Sequence, residues 1–388
     1  HGPTCAFKDM ALQMLPYLLT ASLKKTGEEK TACILVATSG DTGKAALEGF
    51  RDVDRTKILV FYPKDGVSDI QKLQMVTQEG GNTGVCAVTG NFDDAQTGVK
   101  RIFSDPALRE RLAADGKLLS SANSINWGRV LPQIVYYISA YCDLLASDAI
   151  RMGEKIDFCV PTGNFGNILA AYYAKRMGLP VGKLICASNS NDVLTEFIRT
   201  GVYDRNRPFH ATMSPSMDIL ISSNLERLLY LLSGSDEAVR GYMRQLSETG
   251  RYAVTPELHA KIQESFACGC CDEASTAETI GRVFKERSYL IDTHTAVAWN
   301  VLEQYRRESG SRSISVVVST ASAFKFCASV LTALGVEKQA EGTQILRQLS
   351  ETTGSPVPKP LAALDGKKIR FTKAVQKTEM ADAVMELL

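Results

Sequence analysis

Hydrophobic residues in the first 200 positions form short continuous runs that alternate with stretches of helical periodicity. The runs are typical of strands buried on both faces: 32–37, 57–62, 85–88, 117–121, 156–160 and 183–187. The intervening stretches predict helices: 42–50, 68–79, 92–103, 127–145, 167–177 and 193–200. Strands that alternate with helices predict βαβ units and parallel sheets.

This pattern predicts an α/β protein with two open parallel-sheet domains flanked by helices. We expect residues 31–116 to form a smaller domain, inserted into a larger one made of residues 1–30 and 117–388. Residues 224–308 have mostly helical periodicity, and the run at 314–318 predicts a strand that returns to the sheet. Residues 205–223 lack periodicity, so they form either a mobile cover over a site or an irregular surface excursion.

Composition is that of an ordinary globular protein. The 388 residues are 45% hydrophobic and 22% charged, and the formal net charge is +1. Such a balance creates no general field for nucleic acid or an anionic membrane, and the longest apolar runs are too short to span a bilayer. We therefore expect a small-molecule substrate held by local sites, with neither a nucleic acid nor a membrane as partner.

The ten cysteines give no signature of a metal site or a disulfide framework. Most lie in apolar runs, where a reduced cysteine behaves as a small hydrophobic residue, and this favours a reducing cytoplasm. Cys268, Cys270 and Cys271 cluster, but no second pair follows at zinc-ligand spacing. We predict no metal and no catalytic cysteine.

Lys8 stands where a polar segment enters a stretch of helical periodicity that begins at residue 10. A lysine in this position is most often solvated. Only a desolvated or charge-paired lysine becomes a nucleophile near neutral pH, so spacing alone leaves both alternatives open.

Two glycine-containing loops follow predicted strands and lead into predicted helices, at 37–46 and 161–178. The unpaired N–H groups and the positive dipole end of a helix start suit a carboxylate or a phosphate. Gly163 and Gly166 bracket the second turn, which lets the backbone approach an anion closely. An ordinary tight turn remains the alternative for each loop.

Five segments taken together resemble threonine synthase, a fold-type-II enzyme dependent on pyridoxal phosphate (PLP). They occur in the family's order: HGPTCAFKD (1–9), ATSGDTG (37–43), NSINWGR (123–129), PTGNFGN (161–167) and STA (319–321). The resemblance runs from His1 to at least Phe326. It implies an architecture similar to that of the tryptophan synthase β subunit, with PLP as cofactor.

For the cofactor, the resemblance implies that Lys8 is the catalytic residue and holds PLP as an imine. The residues that match the phosphate loop are Gly163, Asn164, Phe165, Gly166 and Asn167. Thr320 corresponds to the residue beside the pyridine nitrogen, although it could also be a simple β-branched strand-end residue. Ser322 and Ala323 depart from the His-Pro or Ser-Pro that often follows in the family.

For the substrate, Ser39, Asp41 and Thr42 match the loop that grips the α-carboxylate, with Asp41 approaching the cofactor's ring hydroxyl. Asp41 could equally be a plain helix cap. The residues that resemble the substrate-phosphate site are Asn123, Ser124, Asn126 and Arg129. A guanidinium binds phosphate bidentately, so Arg129 is the expected anchor, and a solvated or salt-bridged Arg129 is the alternative.

The implied reaction is a lyase-type conversion of O-phospho-L-homoserine and water to L-threonine and phosphate, in threonine biosynthesis. A related phospho-lyase that releases 2-oxobutyrate, or an inactive scaffold paralogue, would carry similar loops. The family has an N-terminal segment before the lysine motif that we expect to be absent here, because the sequence begins within that motif. A monomer and a homodimer are both compatible with the sequence.

Overall fold

The computed structural model describes residues 2–64 and 66–387, with Asp93 described by its backbone only. His1, the first residue of the HGPTCAFKD motif, therefore lies outside the described residues. By its internal contacts the chain divides into two units. The first unit comprises His1–Pro132, Phe324–Ala328 and Lys338–Leu388, and the second comprises Gln133–Ala323 and Ser329–Glu337.

Helices and strands alternate along most of the chain, as the hydrophobic pattern predicts. The strands are β1 (Thr31–Ala37), β2 (Thr56–Pro63), β3 (Thr83–Thr89), β4 (Lys117–Ser121), β5 (Ile156–Pro161), β6 (Val181–Ser188), β7 (Val202–Asp204), β8 (Arg251–Ala253), β9 (Phe266–Cys270), β10 (Ser315–Val317) and β11 (Ala374–Gln376). The helices are α1 (Lys8–Thr26), α2 (Asp41–Phe50), α3 (Asp69–Val76), α4 (Phe92–Ser104), α5 (Pro106–Ala114), α6 (Trp127–Val130), α7 (Ile134–Ala146), α8 (Gly166–Arg176), α9 (Val193–Thr200), α10 (Leu225–Ser233), α11 (Asp236–Thr249), α12 (Pro256–Ser265), α13 (Glu273–Arg287), α14 (Thr293–Ser309), α15 (Cys327–Ala333), α16 (Gln344–Thr353), α17 (Lys359–Ala362) and α18 (Met380–Leu387).

The first unit is built on a parallel five-stranded sheet in the order β11-β3-β2-β1-β4. One face packs against α1, α2 and α3 through a core that includes Leu12, Leu47 and Met75. The other face packs against α4, α5 and α18 through a second core. Because both faces are covered, the strands need apolar residues at nearly every position, which explains their continuous hydrophobic runs.

The second unit contains a parallel four-stranded sheet in the order β10-β5-β6-β9 and a small antiparallel pair, β7 and β8. Helix α14 packs on the four-stranded sheet through Val297 and Val301. The two parallel sheets with flanking helices confirm the predicted α/β class.

Several element boundaries differ from the sequence prediction. The predicted helix 127–145 is broken into α6 and α7 by a 3₁₀ turn at Leu131–Gln133, where Pro132 lacks the N–H that an α-helix needs. Strand β9 was not predicted, because a five-residue segment that contains a glycine lies within a mostly helical region.

The predicted domain boundaries also differ from the contact division. Strand β4 pairs with β1, with Leu35 opposite Ser121, so the first sheet continues beyond residue 116. Helix α1 packs against α2, which brings the N-terminal residues into the same unit. The C-terminal strand β11 pairs with β3 and completes that sheet.

None of the helices in the described part of the chain combines the length and the apolar character needed to cross a membrane.

A close crossing of α1 and α2 gives a test of this fold. A Cβ atom added at Gly49 in α2 would lie 2.0 Å from the carbonyl oxygen of Leu12 in α1. The Gly49→Ala variant is therefore expected to lose about 2 kcal/mol or more of unfolding free energy, because backbone atoms cannot rotate away. Urea unfolding measures this loss.

The matched control is Gly241→Ala in α11, where no described atom other than the neighbouring residues and backbone of the same helix lies within 4 Å of the added Cβ. There alanine should raise the unfolding free energy by about 0.5–1 kcal/mol, since glycine weakens a helix interior. Equal effects of the two substitutions would contradict the crossing.

Candidate active site

The predicted site residues fall at the carboxyl ends of neighbouring parallel strands, separately in each unit. In the first unit β1 and β4 are adjacent, and the loops that follow them carry Asp41 and Arg129. In the second unit β5 and β10 are adjacent, and they are followed by the 161–167 loop and Thr320. Such loops are where α/β proteins usually bind ligands.

Lys8 is the first residue of α1 and is only 7% exposed. Its Nζ lies 3.5 Å from Oδ2 of Asp41, the first residue of α2, so the packing of α1 on α2 brings the two side chains together. Gln71 Nε2 donates to Asp41 Oδ1 at 2.7 Å, and Lys325 Nζ forms an ion pair with the same oxygen. Asp41 is 2% exposed, and it therefore needs these partners.

Burial lowers the pKa of Lys8 to about 8. The carboxylate of Asp41 opposes this shift, while the cations of Lys325 and Arg129 add to it. A lysine with such a pKa has a large neutral fraction at mildly alkaline pH. Of the two alternatives for Lys8, the structure thus favours the desolvated, charge-paired lysine.

The loop after β1 has a backbone shaped by one glycine and one threonine. Gly40 has φ 134°, a conformation that side-chain-bearing residues avoid. Thr38 Oγ1 accepts hydrogen bonds from the N–H groups of Gly40 and Gly43, both at 2.9 Å. These two hydrogen bonds fix the backbone of the loop at the start of α2. Ser39 and Thr42 are half-buried there.

The loop after β4 uses two of its predicted ligands to fix its own shape. Asn123 Nδ2 donates to the carbonyl of Ala37 at 3.0 Å, which ties the loop to the end of β1. Asn126 caps α6 by accepting from the N–H of Gly128, and its Nδ2 donates to Ser121. Ser124 is half-buried in the same loop.

Arg129 is nearly fully buried beneath this loop. Its Nη1 donates to the carbonyl of Ala122 at 2.6 Å. Burial lowers the pKa of the guanidinium to about 10. The solvated alternative for Arg129 is thus wrong.

The loop at 161–167 in the second unit is a tight cradle at the start of α8. A Cβ at Gly163 would lie 2.9 Å from the carbonyl oxygen of Ser216 and 3.0 Å from Met217 Cα, so only glycine fits without movement. Phe165, the N-cap residue of α8, has left-handed backbone angles and makes no side-chain cap to the helix. The first N–H groups of α8 are thereby left without the usual side-chain cap.

The amide of Asn167 shows that this helix start suits an anion. Its Oδ1 accepts from the Tyr137 hydroxyl at 2.6 Å. Its Nδ2 is buried and has no hydrogen-bond partner within the described chain. A buried donor of this kind is rare, because leaving it unsatisfied costs about 1–3 kcal/mol.

Asn164 and Gly166 complete the loop. Asn164 accepts two hydrogen bonds, from Ser223 Oγ at 3.1 Å to its side chain and from Asn224 Nδ2 at 2.9 Å to its backbone. Gly166 is the buried first residue of α8. Residues from the aperiodic segment thus brace the loop.

The aperiodic segment 205–223 is buried at its centre. Ser214 and Met217 are buried, and Asp218 accepts from Asn189 Nδ2 at 2.7 Å. Its packing against Gly163 and its bonds to Asn164 make it a support of the loop. The interpretation as a surface excursion is therefore wrong for its central part.

Thr320 is buried just after β10. The preceding Ser319 accepts a hydrogen bond from Thr295 Oγ1 at 3.2 Å, which ties this segment to the start of α14. Thr320 thus has the strand-end position that the sequence predicts.

Two buried residues were missed by the sequence analysis. Lys325 is fully buried, and its sequence neighbours Phe324 and Phe326 are buried as well. A lone lysine within an apolar run is the sequence feature that could have indicated this buried position. His294 accepts from the N–H of Ser216 at 3.3 Å, and its Nδ1 lies 3.0 Å from Asp292 Oδ1. No sequence motif marks His294, because Asp292 lies two residues before it but Ser216 is distant in the chain.

These features fit PLP. A buried lysine of lowered pKa suits an aldehyde, and a glycine-lined helix start with an unsatisfied amide donor suits a phosphate. Among residues 2–64 and 66–387, no group of three or more His, Cys, Asp or Glu side chains could hold a metal ion. All ten cysteines are free.

Comparison with known families identifies the chain. Residues 1–263 match the family described as pyridoxal-phosphate dependent enzyme, and residues 295–385 match the family described as threonine synthase, C-terminal. Threonine synthase of Saccharomyces cerevisiae is 38% identical over 355 residues, which cover 86% of this chain and 68% of that protein. The chain belongs to the threonine synthase family. The resemblance stated from the motifs and the predicted PLP cofactor are thereby confirmed.

Solved threonine synthases share the fold. The PLP-bound enzyme from Brucella melitensis has a TM-score of 0.84 and 38% identity, with coverage of 100% of this chain and 77% of that one. The yeast threonine synthase structure has a TM-score of 0.85 and 34% identity, with coverage of 100% and 76%.

A human relative named threonine synthase-like 1 is 43% identical over 346 residues, which cover 87% of this chain but 46% of that protein. The chain therefore spans about half the length of such relatives.

The cradle at Gly163 gives a second prediction. Gly163→Ala is expected to weaken PLP binding about tenfold or more, because strain of about 1.4 kcal/mol in the loop already changes affinity by that factor. Titration of the unloaded protein with PLP, followed by visible absorbance, measures the affinity. Gly241→Ala in the same unit should bind PLP normally. An unchanged affinity for Gly163→Ala would mean that this loop does not hold the phosphate.

Proposed function

We propose that this protein converts O-phospho-L-homoserine and water to L-threonine and phosphate. The observation that carries the proposal is the buried Lys8, which has a pKa of about 8 and pairs with Asp41 at 3.5 Å. Membership of the threonine synthase family supports this reaction. The named relatives include both threonine synthase and threonine synthase-like 1, so the product is the point to test.

In this proposal Lys8 Nζ binds the cofactor aldehyde. PLP, when bound, supplies an electron sink conjugated to the substrate's α-carbon. Lys8 would hold the cofactor through this aldehyde, since its amine loses its proton more readily than that of a solvated lysine does. Asp41 holds that amine at the start of α1 and accepts hydrogen bonds at its own carboxylate.

The second unit supplies the anion loop. The N–H groups at the start of α8, together with Asn167 Nδ2, would hold the cofactor phosphate. The backbone around Gly163, Asn164, Phe165 and Gly166 gives the loop its shape. Thr320 would donate or accept a hydrogen bond at the pyridine nitrogen and would not add a charge there.

The first unit supplies the substrate contacts. Ser39 and Thr42, at the start of α2, would bind the α-carboxylate. Arg129 would bind the substrate phosphate, and Asn123, Ser124 and Asn126 would shape or line that part of the loop. A buried guanidinium forms strong charge-assisted bonds with a phosphate, because little water competes for it.

The net reaction moves protons along the substrate chain. The phosphate leaves Cγ, Cγ gains a proton, Cβ loses a proton, and the hydroxyl of water is added to Cβ. The α-proton is removed and returned. We assign these transfers chiefly to Lys8 Nζ, whose pKa near 8 lets it accept and release protons near neutral pH.

Product identification tests the proposal directly. Incubation of the PLP-loaded protein with O-phospho-L-homoserine should give threonine and phosphate in equal amounts. Phosphate accompanied mainly by 2-oxobutyrate would select the phospho-lyase instead. A loaded protein that releases no phosphate would indicate another substrate or an inactive paralogue.

The control for this experiment is Lys8→Ala, which should form no borohydride-trappable PLP adduct and release no phosphate. Lys44→Ala is the matched lysine variant, because Lys44 pairs with Glu48 at 3.0 Å in the same unit and does not contact Asp41. A trapped adduct that maps to another lysine would disprove the assignment of Lys8.

Arg129 is expected to bind the phosphate group of the substrate. Arg129→Ala should weaken O-phospho-L-homoserine binding about tenfold or more, since losing a charge-assisted contact to a buried anion costs about 1.5–3 kcal/mol. Competition assays with L-homoserine provide the comparison, because a ligand without phosphate should lose little affinity. Equal losses for both ligands would show that Arg129 acts only through the stability of the loop.

A further inference from the structure

Lys325 is a buried cation to which the proposed reaction assigns no role. It is 0% exposed, and Phe324 and Phe326 beside it are buried as well. An ammonium group removed from water in this way is costly unless it is paired. Its Nζ pairs with Oδ1 of Asp41, whereas Lys8 pairs with Oδ2. The Asp41 carboxylate thus forms ion pairs with two lysines.

The start of α3 fixes both members of the Lys325–Asp41 pair. Ser68 Oγ donates to the carbonyl of Lys325 at 2.7 Å and also accepts from the N–H of Gln71. The side chain of Gln71 donates to Asp41 at 2.7 Å. Ser68, Gln71, Asp41 and Lys325 therefore form a closed ring of polar contacts within the first unit. Such a ring leaves the carboxylate little freedom to turn.

The proposed function gives Lys8 and Lys325 different roles. Lys8 loses and regains its charge as it binds the cofactor and moves protons. If Lys8 were the sole cation at Asp41, the carboxylate would lose its counter-charge each time Lys8 became neutral. Lys325 has no such task, and its ion pair with Asp41 persists while Lys8 changes its charge.

We propose that Lys325 is a positioning residue, a permanent counter-ion that keeps Asp41 ionised and oriented while Lys8 exchanges its proton. The inference rests on the proposed role of Lys8 and adds a residue to it. Lys325 acts on Lys8 both by holding Asp41 and through its own charge, and it needs no contact with substrate.

The charges around the two lysines determine the expected pH dependence. Asp41, Lys325 and Arg129 act on Lys8, and the cations lower its pKa. The charge of Lys325 also acts on Asp9 and Cys5, and burial raises the pKa of both. Removing the charge of Lys325 should raise the pKa at the Lys8 nitrogen, because one repelling cation is gone and Asp41 then attracts Lys8 alone.

The experiment follows the visible absorbance of the PLP-loaded protein as a function of pH. In Lys325→Met the absorbance midpoint should rise by about one pH unit. Lys325→Arg keeps the charge and should titrate like the unsubstituted protein. Lys44→Met is the matched control, since it removes a half-buried lysine that contacts Glu48 and Gln78 and not Asp41. It should cost stability without moving the midpoint.

A loaded Lys325→Met protein with an unchanged midpoint would overturn the proposal. Failure of the proposed function looks different, because the unsubstituted protein would then lack the absorbance or Lys8→Ala would retain it.

A second pair of variants applies if Lys325→Met does not fold or bind PLP. Asp41→Asn should lower the midpoint, since Lys8 is then left beside two cations. Adding Lys325→Met to Asp41→Asn should raise the midpoint again by removing one of them. Equal midpoints in the single and double variants would also overturn the proposal. Borohydride trapping at different pH values gives the same midpoint where the absorbance is weak.

Discussion

The buried carboxylate of Asp41 is the interaction on which the chemistry of the first unit depends. A charge with 2% exposure is stable only if its partners are fixed, and three separate elements supply them. Lys8 comes from α1, Gln71 from α3 and Lys325 from the segment before α15. Lys8, the proposed nucleophile, is therefore positioned by packing between helices, and a change in these contacts is expected to alter its charge as well as its location.

The parallel sheets explain why the site residues gather where they do. Adjacent parallel strands end at the same edge, so loops distant in sequence become neighbours. In the first unit a hydrogen bond from Asn123 Nδ2 to the carbonyl of Ala37 joins the loop after β4 to the end of β1. In the second unit the loop at 161–167 is supported by the buried segment that holds Met217. Both loops are thus firmly braced, which suits a site that must orient a ligand.

The sequence predicts those features that depend on local patterns. A continuous apolar run at 32–37 located β1, and helical periodicity located α9 at 193–200, because burial on both sheet faces or on one helix face leaves a direct pattern in the sequence. The roles of the motif loops and of Lys8 came instead from the resemblance of five short segments to threonine synthase. Strand β11 and Lys325 were missed, since their partners lie far away in the chain. No short window contains the information that pairs Lys325 with Asp41.

The return of the chain to the first sheet has a consequence for synthesis on the ribosome. The second unit is nearly continuous in sequence, whereas the first unit needs β11 and α18 from the C-terminal part of the chain. During translation the edge of β3 stays unpaired until β11 has been synthesised, long after the first strands have emerged. Asp41 likewise lacks its Lys325 partner until that residue has been synthesised. Nascent chains of this protein are therefore expected to expose an unpaired strand edge, which can pair wrongly with other chains.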